Sequence, residues 1–166
     1  MGSMECLSDI KSTVTSITFK EENGKKVYSA DYITEGTFKD YTALKTVDFS
    51  GLDTTYSSGI NMNHMFSGCS SLESVDFSGV DTSKVNYMSN MFLGCSSLTD
   101  IKFGNDFITS NVTTMSGMFR GCSSMKNLDL SNFYTNQVKN MSYMFKDCSS
   151  LTSLDLSSFN THQVTN

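Results

Sequence analysis

Four cysteines recur along the chain, at Cys69, Cys95, Cys122 and Cys148, in steps of 26, 27 and 26 residues. Three chemistries suit such a column. Metal ligation normally wants close pairs such as C-x-x-C, or histidine partners. The two histidines, His64 and His162, are out of register with the thiols. Stacking would bring neighbouring cysteine Cα atoms to roughly 5 Å, so disulfides are geometrically open. The third reading is packing: a cysteine between an inward phenylalanine and an inward leucine behaves as a small hydrophobe. Tyr41 takes the same slot in an earlier, degenerate copy, which favours packing. The methionine pairs Met62/Met65, Met88/Met91, Met115/Met118 and Met141/Met144 read the same way, as core set against Phe66, Phe92, Phe119 and Phe145 rather than as soft-metal ligands.

Carboxylates form the second column. Asp48, Asp76, Asp129 and Asp155 occupy one position of the repeat, with Lys102 in the equivalent slot between them. Strand alternation turns this column outward, with Asp100 and Asn127 beside it. Like charges opposite one another in a sheet are destabilising, and Lys102 offers relief. Asp48, Asp76, Asp100, Lys102, Asn127, Asp129 and Asp155 are therefore the candidate ligand-binding residues, suited to a basic or polyhydroxylated partner. The competing reading is a solvated face whose serines bond to nearby backbone. A calcium ladder is a weaker alternative, because calcium takes about six to eight oxygens and the column offers one carboxylate per coil.

Catalysis needs a base near a nucleophile, or paired carboxylates about 5–9 Å apart with one acid in an apolar setting. His64 and His162 lie in distant copies, and nothing marks one carboxylate of the Asp76, Asp100 and Asp129 group as that acid. No enzyme activity, cofactor or metal is expected.

The elements that must position these columns follow from the repeat itself. It reads M-x-x-M-F-x-x-C-S-S-(L/M)-x-x-hydrophobic-x-hydrophobic, in copies at 62–77, 88–103, 115–130 and 141–156. Phe38 to Phe49 is a degenerate earlier copy. A unit this short cannot bury its own apolar face, so it must stack as one coil of a solenoid. Val138, Met141, Met144 and Phe145 are spaced as one face of a short helix, and Leu151-x-x-Leu154-x-Leu156 reads as a short strand. The expected fold is an α/β repeat of leucine-rich-repeat type, with one parallel sheet and short helices on the opposite face.

Residues 5–37 precede the repeats. Val14 to Phe19 alternates as a strand, Asn23-Gly24 signals a hairpin turn, and Val27 to Ala30 follows. A β-hairpin cap over the first coil is expected there, with Cys6 as a free thiol. Met1 to Met4 looks like a vector-derived scar. Residues 38–166 then form about five coils, the last truncated. The longer segment from Ser50 to Ile60 predicts a bulging loop, and an inserted residue within 104–108 accounts for the 27-residue step.

Bulk composition excludes several classes. The chain has 166 residues and a net charge of −5, and the seven bases among residues 42–166 are scattered singly. No basic stripe exists to follow a phosphate backbone, so nucleic acid is not an expected partner. No run of 18 apolar residues could span a membrane. Proline and tryptophan are absent, which fits short hydrogen-bonded coils.

The motif Met-Phe-x-Gly-Cys-Ser-Ser-Leu-x-x-hydrophobic-Asp-hydrophobic-Ser resembles the BspA-like leucine-rich repeat of bacterial surface proteins and lipoproteins. Asn140 to Phe159 is a nearly complete copy of that motif, and the resemblance covers residues 38–166. It implies a right-handed, curved solenoid, extracellular display on a bacterial cell surface, and adhesion to host cells or matrix. No catalytic motif belongs to the family.

The functional expectation is a non-catalytic module that binds a host or matrix protein or a glycan. Its alternatives are a spacer repeat without a ligand, a carbohydrate-active solenoid, or an ice-binding one built on the Thr82, Thr109, Thr135 and Thr161 column. End-to-end self-association through an uncapped final coil is a further expectation.

Overall fold

A computed structural model describes residues 10–21, 23, 25–28, 34–54 and 61–166. The expected scar at Met1 to Met4, Cys6, and much of the expected bulge before Ile60 lie outside the described residues. The apolar triplet of each copy does form a strand where ladder pairing is present. Strands β1 (Ser16–Thr18), β3 (Thr46–Asp48), β5 (Ser74–Asp76) and β6 (Asp100–Lys102) make one parallel sheet in that order. Val47 pairs with Val75, and Val75 with Ile101; Val47 and Val75 are fully inward. Asp48, Asp76 and Lys102 fall in register on the other face.

The expected N-terminal hairpin is not formed. β1 and β2 (Val27–Tyr28) do not pair with each other. β1 lies parallel to β3, and β2 lies parallel to β4 (Leu52–Asp53) in a separate two-stranded sheet. The reason is legible in Val14-x-x-Ile17-x-Phe19, which has the spacing of Leu44-x-x-Val47-x-Phe49. The segment is another coil, and Phe19 stacks on Phe49 at 5.3 Å. Asn23 keeps a positive φ of 54°, so the turn signal was real but joins two parts of one coil.

The expected short helices are also absent among the described residues. The methionine–phenylalanine segments are runs of consecutive turns instead. In one coil Met65 donates to the Met62 carbonyl, Ser67 to His64 and Cys69 to Phe66. The alternate amides point along the solenoid axis: Met62 donates to Tyr87, His64 to Ser89, Phe66 to Met91 and Gly68 to Leu93, at 2.8–3.0 Å. The cause is two left-handed residues per coil, four apart. One slot holds Gly36, His64, Asn90, Gly117 and Tyr143, and the other Asp40, Gly68, Gly94, Gly121 and Asp147. L-residues do not sustain a right-handed helix through such positions. At Gly68 (φ 79°) an added Cβ would also collide with the Asp40 carboxylate.

The inward side of both segments is the core. Phe38, Phe66, Phe92, Phe119 and Phe145 stack face to face, with centroids 5.3, 5.5, 5.7 and 5.9 Å apart. A second stack runs through Phe19, Phe49, Phe77 and Phe103. The paired methionines from Met62 to Met118 have no exposed surface. Between β6 and residues 127–129 no ladder pairing forms, nor between 127–129 and 153–155. The break coincides with the inserted residue. Phe107 is buried against Phe103 at 4.6 Å and against Phe133 at 5.9 Å, filling space between coils. The axial ladder of the turn segments continues regardless, from Met115 to Asn140 and from Phe119 to Met144.

The threonine column is buried. Thr82, Thr109 and Thr135 have no exposed surface, and each hydroxyl both donates to and accepts from the backbone of the next coil. Thr109 Oγ1 donates to the Tyr134 carbonyl at 2.9 Å and accepts the Tyr134 amide at 2.8 Å. Thr82 does the same with Ile108, and Thr135 with Asn160. This overturns the ice-binding alternative, because only Thr161 of that column faces solvent. Thr109→Val keeps the shape and removes both bonds. A buried polar group left unpaired costs about 1–3 kcal/mol, so the variant should lose roughly 2 kcal/mol or more in urea unfolding, whereas Thr109→Ser should lose less. Equal stability of Thr109→Val and wild type would refute the role of the hydroxyl.

Candidate functional site

The carboxylates of the outward column are held by their own strand ends. Asp48, Asp76, Asp129 and Asp155 each accept the amide of the serine two residues on, at 2.8–3.0 Å. This Asx turn ends each strand and turns the chain into the next corner. Asp76 also accepts from the Ser78 hydroxyl and pairs with Lys102 Nζ at 2.9 Å. Lys102 thus relieves the repulsion that the sequence anticipates, and does so toward Asp76.

Not all the predicted residues share one site. Asp48, Asp76, Asp100 and Lys102 border one shallow depression of about 250 Å³ across β3, β5 and β6. Asp129 and Asp155 border another of about 210 Å³, with Ser131, Ser157 and Ser158. Asn127 lines neither of these depressions and sits on an exposed stretch. The loss of strand pairing after β6 separates the two groups.

The electrostatics follow the contacts. Partial burial pushes the Asp76 carboxyl up, but hydrogen bonds from Ser78 and Lys102 outweigh it and hold the group below the usual carboxylate range. The Ser131 amide and hydroxyl lower Asp129, and those of Ser157 lower Asp155.

The thiols are the opposite case. All four repeat cysteines are free, and each Sγ donates to a phenylalanine carbonyl of the preceding coil: Cys69 to Phe38, Cys95 to Phe66, Cys122 to Phe92 and Cys148 to Phe119. The column is a packing element that also satisfies backbone oxygens. Burial pushes the Cys69 thiol up to about 12, and it pushes Cys95 and Cys122 up strongly. Cys148 is raised for the same reason but lies only partly buried. Among the described residues no group of three or more His, Cys, Asp or Glu is placed to hold a metal ion. His64 Nδ1 is buried without a hydrogen-bond partner.

Sequence reasoning missed an open depression at the corner after the strands, about 470 Å³ in volume and bordered by Asn105, Phe107, Ile108, Ser110, Asn132 and Tyr134. Its signal was the inserted residue in 104–108, which read only as a loop irregularity.

This architecture is that of the leucine-rich-repeat proteins. Among solved structures, the chain is similar to a leucine-rich repeat protein from Eubacterium ventriosum, with a TM-score of 0.52 and 18% identity over 87% of this chain and 33% of that one. It is also similar to the T. pallidum leucine-rich repeat protein TpLRR, with a TM-score of 0.47 and 20% identity over 85% of this chain and 57% of that one. The chain therefore spans a third of the first protein and somewhat over half of the second. At 18% identity the first likeness shows the fold alone. The chain belongs to the family described as "Mycoplasma protein of unknown function, DUF285", which matches residues 32–105 and 99–166. No curated protein matches it. The bacterial leucine-rich-repeat resemblance carried by the repeat motif agrees with both findings.

Two predictions follow from the site. In native protein, iodoacetamide should modify Cys148 first among the four repeat thiols, and the other three only at the rate of unfolding; rapid modification of Cys95, read by peptide mass spectrometry, would contradict the buried column. Asp76 has a depressed folded pKa, so its contribution is present above the unfolded value of about 3.9 and is lost as pH falls through the folded value. Asp76→Asn keeps the Oδ1 acceptor without the charge. Its urea midpoint should fall less than that of wild type between neutral pH and pH ~2; identical losses would show that the charge contributes nothing.

Proposed function

We propose that this chain is a non-catalytic binding module of a bacterial cell-surface protein, engaging a host or matrix protein or a glycan. The observation that carries the reading is the outward row of Asp48, Asp76 and Lys102, in strict register on a parallel sheet, with Asp100 in the adjoining row. The Asp48 and Asp76 carboxylates are fixed by Asx turns and need no reordering to meet a partner, which lowers the cost of binding. The leucine-rich-repeat fold supports protein interaction in general. Adhesion, extracellular display and a right-handed coil rest on the family resemblance. No helix among the described residues is long and apolar enough to cross a membrane. End-to-end self-association belongs to the same reading, since coil-on-coil stacking is how the protein already pairs with itself.

A spacer without a ligand is the second reading. The Asx bonds favour it, because they give the aspartates a structural role that needs no partner. An array of matrix proteins, glycans and host cells separates the two, run with the Asp76→Asn, Asp129→Asn, Asp155→Asn triple variant beside wild type. Asparagine keeps each turn acceptor, so the fold should survive. Specific binding that drops at least about ten-fold (roughly 1.4 kcal/mol) in the variant supports the strand-face site. Undiminished binding moves recognition elsewhere on the coil, and no binding by either protein favours the spacer.

A further inference from the structure

The residue just before each buried threonine changes character along the solenoid. It is Asp53 and Asp81 in the earlier coils, then Ile108 and Tyr134. At that change, beside the inserted residue, the corner carries the open depression of about 470 Å³. The volume lies within the ~300–1,000 Å³ range of small-molecule sites.

The floor of the depression is held by packing and by backbone hydrogen bonds. Phe107 is buried and packed on Phe103 and Phe133, and these two rings meet at 5.0 Å. The backbones of Ile108 and Tyr134 are each fixed by two bonds, to the buried hydroxyls of Thr82 and Thr109. Tyr134 nevertheless keeps 56% of its surface exposed. An aromatic ring open to solvent on a backbone fixed in this way can accept a ligand without reordering the main chain.

The chemistry of the lining is selective. It offers an aromatic face and an aliphatic side chain, then two carboxamides and a hydroxyl from Asn105, Asn132 and Ser110, and no charged side chain. A carboxamide donates and accepts at once, which suits vicinal hydroxyl groups. The Tyr134 ring and Ile108 suit the apolar C–H face of a sugar ring. A charged ligand would find no counter-charge among the lining residues, and a purely apolar one would strip water from two amides without replacing their bonds.

We propose that this depression is a subsite for a neutral pyranose of a glycan, with Tyr134 as the stacking platform and Asn105 and Asn132 as hydroxyl partners. The proposal rests on the reading of the chain as a binding module, but uses none of the strand-face aspartates.

The test is an amide-shift NMR titration of the whole chain with the methyl glycosides of glucose, galactose and mannose, and with N-acetylglucosamine. At least one should perturb Ile108, Tyr134 and the side-chain amides of Asn105 and Asn132. Tyr134→Ala should weaken that binding by about ten-fold or more, and Asn105→Ala should weaken it too. Tyr87→Ala, which removes an exposed ring from a turn segment, should not. Unchanged thermal unfolding of Tyr134→Ala would show that the coil is intact, because the threonine bonds reach only its backbone. No response to any of the four sugars overturns the proposal, as does binding that survives Tyr134→Ala. Sugar binding lost only in the triple aspartate variant also overturns it, and places the glycan on the strand face. Array binding without any sugar response leaves the module reading standing and removes this subsite alone.

Discussion

Every second backbone amide of the turn segments donates along the solenoid axis to the next coil. This is the constraint on which the rest of the structure depends. A run of turns with two left-handed residues per coil satisfies only half of its amides internally. The other half need the neighbouring coil, because a buried amide without a partner is costly. A single coil is therefore incomplete in both hydrogen bonds and apolar burial, and it is stabilised by stacking on its neighbours.

The rise set by that ladder explains the side-chain columns. Coils one backbone hydrogen bond apart put identical residues almost directly above one another. Phenylalanine rings then stack with planes within 15° at centroids of 5.3–5.9 Å. The threonine hydroxyls reach the next coil's backbone, and the cysteine thiols reach the preceding coil's carbonyls. These small polar contacts sit inside an otherwise apolar interior, and each has a defined partner. Function is thereby pushed outward, to whatever the corners and the strand face present.

Those surfaces differ in kind. The strand face is repetitive, acidic and hydrogen-bonded to itself through Asx turns. The corner lined by Asn105, Phe107, Ile108, Ser110, Asn132 and Tyr134 is irregular, partly aromatic and without a charged side chain among those six. Regularity favours stacking, so a departure from it is where a site can be built without disturbing the core. The insertion has a structural cost, since strand pairing stops beyond β6, but the turn-side ladder bridges the gap.

Much of this was legible in the residues. The 26-residue period determined the stacking, and the alternation about Val47, Val75 and Ile101 determined which side of the strand faces the core. The inward set of the methionine segment was also readable, because Met62, Met65 and Phe66 point inward whether the backbone is a helix or a run of turns. The backbone itself was not, since a spacing of three and four residues cannot distinguish the two. The glycine before each of Cys69, Cys95 and Cys122 was a clue, but His64 and Tyr143 adopt left-handed angles that their residue types disfavour, and only the neighbouring coils hold them there. In the same way Asn23-Gly24 marked a turn, while the parallel pairing of β1 and β2 with the following coil was decided by the ladder edge offered to them. By itself the sequence determined the repeat, the core columns and which side chains of the strands and methionine segments face inward. Tertiary structure decided the backbone path, the burial of the threonines and the depression beside Tyr134, because each depends on contacts between coils that local spacing does not encode.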